Sequence, residues 1–144
     1  MSKPMKTMEL NINRTIAATP AEVYDAWLDP NSPVNPFNGA KKVVFDPRVG
    51  ALYHFTHMQG EVERPHYGRF EELQRGAKIR MTWMSNHTRG LESIVTVTFK
   101  AKGEDTLLTL KHANLPDDDM GAAHDEGWKH FMGLLEQHFA TARA

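Results

Sequence analysis

The middle of the chain alternates apolar and polar residues in short runs separated by turns, and this pattern restricts the fold more than any other feature. The connections carry Gly, Pro, Asn and Asp and are too short for a parallel crossover, which needs about a dozen residues; one of them spans Gly60–Pro65. The pattern therefore predicts an antiparallel meander. Its six strands are predicted at Lys42–Asp46, Ala51–Met58, Tyr67–Leu73, Lys78–Met84, Ser93–Lys100 and Thr106–His112.

A strand and a short helix are predicted before the meander. Lys6–Ile16 alternates as a half-buried strand does. The helix is predicted to begin at Thr19–Glu22, where a Thr cap is followed by Pro at the first helical position and by Glu three residues after the cap. A cluster of prolines from Pro30 to Pro36 is expected to end this helix.

The last segment, Met120–Ala142, is predicted to form a long amphipathic helix, because large apolar residues recur at steps of three and four. One stripe is expected to hold Gly127, Phe131, Leu134 and His138, with Trp128 and Leu135 at its flank. A glycine in mid-helix costs about 1 kcal/mol relative to Ala, so Gly127 indicates close approach to the sheet or room for a ligand. The whole layout is α+β: one curved antiparallel sheet is wrapped around the C-terminal helix, and a cavity is expected between them.

Alternation also predicts which side chains of the meander face inward. The inward set on the later strands is Ile79, Met81, Trp83, Val95, Val97, Phe99, Leu108, Leu110 and, in the same register, His112. On the second meander strand, Tyr53, Phe55 and His57 are expected to face inward.

Length and composition exclude several classes of protein. A chain of 144 residues predicts one domain, 1–144, with residues 1–5 as a flexible lead. The absence of cysteine excludes disulfides and thiolate chemistry. A net charge of −1 without a basic stripe disfavours nucleic acid as a partner. Because the sequence has neither an apolar run of about 18 residues nor a signal-like start, we expect a cytoplasmic protein without membrane insertion.

Four stretches together resemble the heat-shock protein 90 ATPase activator homologue family, within the SRPBCC superfamily of START, polyketide-cyclase and birch-pollen-allergen-like domains. The resemblance implies a helix-grip fold whose cavity receives apolar or amphipathic small molecules, and it leaves open both a chaperone contact and a homodimer. This chain has Asn35–Gly39 where many relatives have a tryptophan, so the mouth of the cavity is expected to differ. The four stretches are Ile16–Trp27, Asp46–Ala51, Met81–Trp83 with Ser93–Val97, and Thr106–His112 with His124–Trp128.

Eight histidines raise the question of a metal site. His54 and His57 are three apart on a predicted strand and therefore face opposite sides, so they cannot chelate together. We predict no metal and no cofactor; a site assembled from His57, His112 and His124 is the remaining alternative. The charged segment that includes Glu61, Glu63, Arg64 and His66 is interpreted as a solvated loop.

The leading hypothesis is a binding protein for a small hydrophobic or amphipathic ligand. A first alternative is a cofactor-free cyclase- or hydrolase-like enzyme in which His112 or His57 handles a proton. A second alternative is an interaction module that stimulates a chaperone ATPase. The predicted lining of the cavity is Tyr53, Phe55, His57, Phe70, Met81, Trp83, Val97, Leu110, His112, Phe131 and Leu134.

Overall fold

A computed structural model describes residues 6–37 and 39–143, and each predicted strand and helix is present. Most ends differ by one to three residues, but β4 begins five residues earlier and β7 ends four residues later than predicted. The predicted lead at residues 1–5 lies outside the described residues. The strands are β1 Thr7–Ile16, β2 Lys41–Val44, β3 Leu52–Gln59, β4 Val62–Gln74, β5 Lys78–Trp83, β6 Ser93–Lys102 and β7 Asp105–Pro116. The helices are α1 Pro20–Leu28, a 3₁₀ turn Asn86–Thr88 and α2 Asp119–Arg143.

The seven strands form one antiparallel sheet in the order β1-β7-β6-β5-β4-β3-β2. The meander runs from β2 to β7, and β1 adds to its end by pairing with β7 over nearly its whole length. The curved sheet holds the long helix α2 against its inner face, and α1 follows the first strand, so the predicted α+β helix-grip arrangement is confirmed.

The predicted turn at Gly60–Pro65 is wrong over most of its length. Strand β4 already begins at Val62, and Pro65 is paired with Thr56 of β3. A strand tolerates proline at a position where one of its edges forms no backbone hydrogen bonds to a neighbouring strand. This is the case here, because regular pairing of β4 with β5 begins only at Phe70.

Helix α1 begins as predicted. The Thr19 hydroxyl accepts a hydrogen bond from the Glu22 amide, and the Glu22 carboxylate accepts one from the Thr19 amide, which closes the capping box. Val23, Trp27 and Leu28 turn into the core from this helix.

Burial confirms the predicted inner face of the sheet. Each residue of the inward set on β5, β6 and β7 is buried, and His112 is fully enclosed. On β3, Tyr53 and Phe55 are buried and His57 is partly buried, whereas His54 lies on the outer face.

The predicted stripe on α2 is rotated relative to the observed one. Trp128, Met132 and Leu135 are buried in the core, whereas Leu134 is 45% exposed and Gly127 is also exposed.

None of the described helices combines the length and the apolar composition that crossing a bilayer requires.

Gly68 allows a close approach between strands β4 and β5. A Cβ atom at this position would lie 2.1 Å from the backbone oxygen of Thr82 and 2.8 Å from the Tyr53 ring. The Tyr53 hydroxyl donates a 2.6 Å hydrogen bond to the same Thr82 oxygen. Burial raises the pKa of Tyr53, so this donor keeps its proton.

We expect Gly68→Ala to lower the free energy of unfolding by about 1 to 3 kcal/mol, because the new methyl group must displace backbone. The matched control is Gly133→Ala on α2, where a Cβ meets nothing within 4 Å. That substitution should stabilise the helix by about 1 kcal/mol. Urea denaturation measures both changes, and wild-type stability in Gly68→Ala would contradict the close approach.

Candidate functional site

A cavity of about 480 Å³ opens between the first half of α2 and the ends of three strands of the sheet. His57 at the end of β3, His66 near the start of β4 and Trp83 at the end of β5 form one side. The segment after α1 closes a second side with Pro33, Val34, Asn35 and Pro36, and the 3₁₀ turn adds His87. Helix α2 contributes Ala123, His124, Gly127, Trp128, His130, Phe131 and Leu134.

Four of the predicted lining residues lie at the cavity: His57, Trp83, Phe131 and Leu134. The structure places the other seven in the closed core, because aromatic and aliphatic side chains fill the remainder of the space under α2. His112 lies directly behind the cavity wall, against Trp83 and Trp128. The core residues are Tyr53, Phe55, Phe70, Met81, Val97, Leu110 and His112.

Asn35 and Pro36 of the Asn35–Gly39 segment line the cavity, and Asn38 lies outside the described residues. That the mouth differs from the mouth in relatives stays a prediction. Gly127 faces the cavity, and an added Cβ there would meet nothing within 4 Å. Of its two sequence interpretations, room for a ligand is therefore the one that the geometry supports.

The interpretation of His66 as part of a solvated loop is wrong. His66 lies in β4, and its ring stacks parallel on Phe55, with centroids 4.9 Å apart. His66, Gly68 and Phe70 share the inner face of β4, so continuing the alternation through Pro65 would have found His66. No local pattern marks His87, because its position depends on the turn between β5 and β6.

His112 forms a buried relay of hydrogen bonds behind the cavity. The Trp128 indole N–H donates to His112 Nδ1 at 3.0 Å. With Nδ1 as acceptor, neutral His112 carries its proton on Nε2 and donates to Ser93 Oγ at 2.8 Å. The Ser93 hydroxyl then donates to the Trp83 carbonyl oxygen.

Both nitrogens of His112 are therefore occupied by protein partners. Burial lowers the pKa of His112 well below its ordinary value, and nearby His124 lowers it further. A general base needs a free lone pair, and this imidazole offers none to a substrate. The geometry gives His112 a supporting role beneath Trp83 and Trp128.

The rings around the cavity touch one another in a continuous cluster. The His57 and His66 centroids are 5.5 Å apart, and His66 lies 5.1 Å from Trp83. Trp83 in turn lies 5.1 Å from Trp128. The centroids of His87 and His124, two further rings of the lining, are 6.2 Å apart.

Backbone carbonyls fix the orientation of two of these imidazoles. His66 Nδ1 lies 2.9 Å from the Arg64 oxygen, and His124 Nδ1 lies 3.0 Å from the Met120 oxygen. A carbonyl oxygen can only accept, so Nδ1 carries the proton in both rings. The Nε2 atom is then the nitrogen left to meet a ligand.

The cavity environment favours neutral imidazole. Burial lowers the pKa of His66 to about 4, with smaller contributions from His57, His124 and His87. Burial likewise lowers the pKa of His57 and of His124. Charging these groups is unfavourable because burial removes part of the water that would solvate the charge.

The described residues that line the cavity include no Asp, Glu, Lys or Arg. Across residues 6–37 and 39–143, no three His, Asp or Glu side chains are arranged to hold a metal ion. The alternative metal site with His57, His112 and His124 also lacks a free nitrogen on His112.

A curved antiparallel sheet that grips a C-terminal helix beside a lined cavity defines the helix-grip class of domain. Residues 17–140 match the family described as Activator of Hsp90 ATPase homolog 1-like protein. The chain belongs to this family, which confirms the resemblance stated from its residues. No curated protein matches the chain.

Solved structures with similar folds include protein CV1439 from Chromobacterium violaceum, with 24% identity and a TM-score of 0.77 over 91% of this chain and 96% of that one. The Aha1 dimer from Colwellia psychrerythraea has 13% identity and a TM-score of 0.72, over 92% and 96% of the two chains. CalU16 from Micromonospora echinospora has 24% identity and a TM-score of 0.66, over 88% and 74%. At these identities the likeness shows the fold.

Stability should fall on acidification because His57, His66, His112 and His124 bind protons more weakly in the folded chain than in the unfolded chain. The unfolded state then holds more protons below about pH 6.5, so the free energy of unfolding decreases as pH falls from there towards about 4. Each histidine contributes at most about 1.4 kcal/mol per pH unit. Urea denaturation across this range measures the slope.

His66→Gln should flatten this slope, because it removes one of the four groups. His54→Gln, on the outer face of the sheet, is the control and should keep the wild-type slope. An unchanged slope in His66→Gln would contradict the conclusion that burial lowers the pKa of His66 in the folded chain.

Proposed function

We propose that the protein binds a small apolar or amphipathic molecule in the cavity between the sheet and α2. The observation that carries the proposal is the cavity itself: about 480 Å³ with walls built from Trp83, Trp128, Phe131, Leu134 and Val34. Sites for small molecules commonly measure about 300 to 1,000 Å³ and combine apolar walls with a few polar groups.

Histidines add polar groups to this apolar wall. The described lining includes His57, His66, His87, His124 and His130. Imidazole nitrogens can donate or accept hydrogen bonds. They favour an amphipathic guest over a purely apolar one.

Binding is a better-supported function than catalysis in this cavity. Its described lining offers imidazoles but no carboxylate, lysine or hydroxyl nucleophile. His112, the first candidate for proton transfer, uses both nitrogens within the protein. The remaining candidate, His57, has no second catalytic group of another chemical type beside it in the lining.

Two of the glycines of α2, Gly127 and Gly133, provide a matched test. Gly127 faces the cavity, Gly133 is not part of its lining, and an added Cβ has open space at both. Gly127→Leu and Gly133→Leu make the same change in helix propensity, but only the first puts a side chain into the cavity. Titration with fatty acids and aromatic polyketides, followed by tryptophan emission, should show at least tenfold weaker binding for Gly127→Leu alone.

Equal affinity in the two variants would place the binding site elsewhere. A flat emission response of the wild-type protein across the library would contradict the proposal as a whole.

We propose chaperone-ATPase stimulation as a second candidate, which the family membership and an exposed apolar surface support. Val44, Leu52 and Tyr67 are 59%, 62% and 44% exposed on the outer face of the sheet, around a shallow depression. Patches of this kind often mark protein contacts. This outer face and the cavity lie on opposite sides of β3 and β4.

The double variant Leu52→Ser/Tyr67→Ser should lose stimulation of the host chaperone ATPase, whereas Gly127→Leu should retain it. ATPase rates with and without the protein measure the effect. No stimulation by the wild-type protein removes this candidate. A concentration-dependent dimer that the double variant abolishes would assign the face to a second copy of the chain instead.

A further inference from the structure

The titratable groups that line the cavity restrict the chemical class of the ligand more than the cavity volume does. Its described lining has five titratable groups, and all five are imidazoles: His57, His66, His87, His124 and His130. A lining of this kind can become positive but cannot become negative. An amine ligand would find no carboxylate there, whereas an acid would find groups able to share its proton.

We propose that the ligand of this cavity is an amphipathic organic carboxylic acid, whose head group lies among His57, His66, His87 and His124 and is bound together with one proton. This inference rests on the proposed binding function of the cavity. The proton balance is simple: a carboxylate anion in water and one proton from the buffer become an acid–imidazole pair without net charge added to the cavity.

The fixed orientation of two imidazoles supports this assignment. His66 and His124 each hold Nδ1–H against a backbone carbonyl, so neither ring needs to turn over to use Nε2. Neutral Nε2 accepts a hydrogen bond from a carboxylic acid, and protonated Nε2 donates one to a carboxylate.

The apolar walls explain why the proton must accompany the ligand. Transfer of a bare anion into a site lined by tryptophan, phenylalanine and leucine carries a large desolvation penalty. A permanent cation could offset it, but no lysine or arginine belongs to the described lining. A weak acid can enter as a neutral molecule and share its proton with imidazole, and a sulfonate or phosphate dianion cannot do so at neutral pH.

Several charged groups on neighbouring elements have protein partners. Arg64, opposite His57 in the β3–β4 ladder, donates to Gln59. Arg89, which follows the 3₁₀ turn, is paired with Asp118. Lys129 and Asp125 on α2 form an ion pair of 2.8 Å.

His112 of β7 is the remaining titratable group behind the wall, and the relay uses both of its nitrogens. Burial lowers the pKa of His57, His66 and His124, so these three imidazoles are neutral at pH 7. The shared proton therefore comes from solvent. Affinity for the acid should rise as pH falls from about 8 to about 6.5, by up to tenfold per pH unit for one proton taken up.

The experiment compares molecules that share a skeleton and differ in the head group: naphthoic acid, naphthamide and naphthalenesulfonate, together with decanoic acid and decanamide. Isothermal titration calorimetry of the wild-type protein in phosphate and in Tris gives the number of protons taken up. We expect about one proton per acid bound, at least tenfold tighter binding of the acid than of its amide at pH 6.5, and pH-independent binding of the amide.

The variants His66→Gln and His124→Gln should each weaken binding of the acid at least tenfold and reduce the number of protons taken up on binding. His54→Gln, on the outer face, should bind acid and amide as the wild type does. The buffer comparison on the wild-type protein needs no variant, so it decides the question even if a substitution unfolds the chain.

The outcomes separate this inference from the binding function. If acid and amide bind equally without proton uptake, the carboxylate assignment is overturned and the cavity remains a binding site. If the sulfonate binds as tightly as the carboxylate, the shared proton is overturned. If no member of the series binds, the inference and the proposed function both fail.

Discussion

The hydrogen-bonded relay behind the cavity is the interaction on which the rest of the site depends. It begins at the Trp128 indole on α2, passes through His112 on β7 and Ser93 on β6, and ends at the Trp83 carbonyl on β5. Each donor in this series has an acceptor, and buried polar networks stabilise a unique packing when they are fully satisfied. The relay therefore fixes α2 against three strands and holds the two tryptophans that form the cavity wall.

The cavity lies beside a dense aromatic cluster, where α2 carries small residues. Trp27 of α1 stacks on Trp128 and meets the edge of Phe131, so the space under α1 is filled. The lining residues Ala123 and Gly127 of α2 are small and leave space beside this cluster. A firm wall beside an open end suits the capture of a guest, since little of the site must be ordered on binding.

Local chemistry accounts for the parts of the fold that were predicted from sequence. Alternation places Ile79, Met81 and Trp83 on one face in any antiparallel sheet, and the capping box at Thr19 marks a helix start whatever surrounds it. Pro65 shows where such reasoning fails. Proline ends a strand that pairs with neighbours on both sides, but it is tolerated where a strand pairs on one side only. Only the strand pairing in the tertiary structure distinguishes the two situations.

The sequence by itself determined the elements, the inward face of the sheet and the family resemblance, because these depend on residues near one another in the chain. Tertiary structure alone decided which inward residues line open space. His66, His87 and His124 come from three separate elements, so their meeting depends on how β4, the 3₁₀ turn and α2 pack. Phe55 and Leu110 point inward as predicted but are covered by their neighbours, and coverage is a property of packing that no sequence period contains.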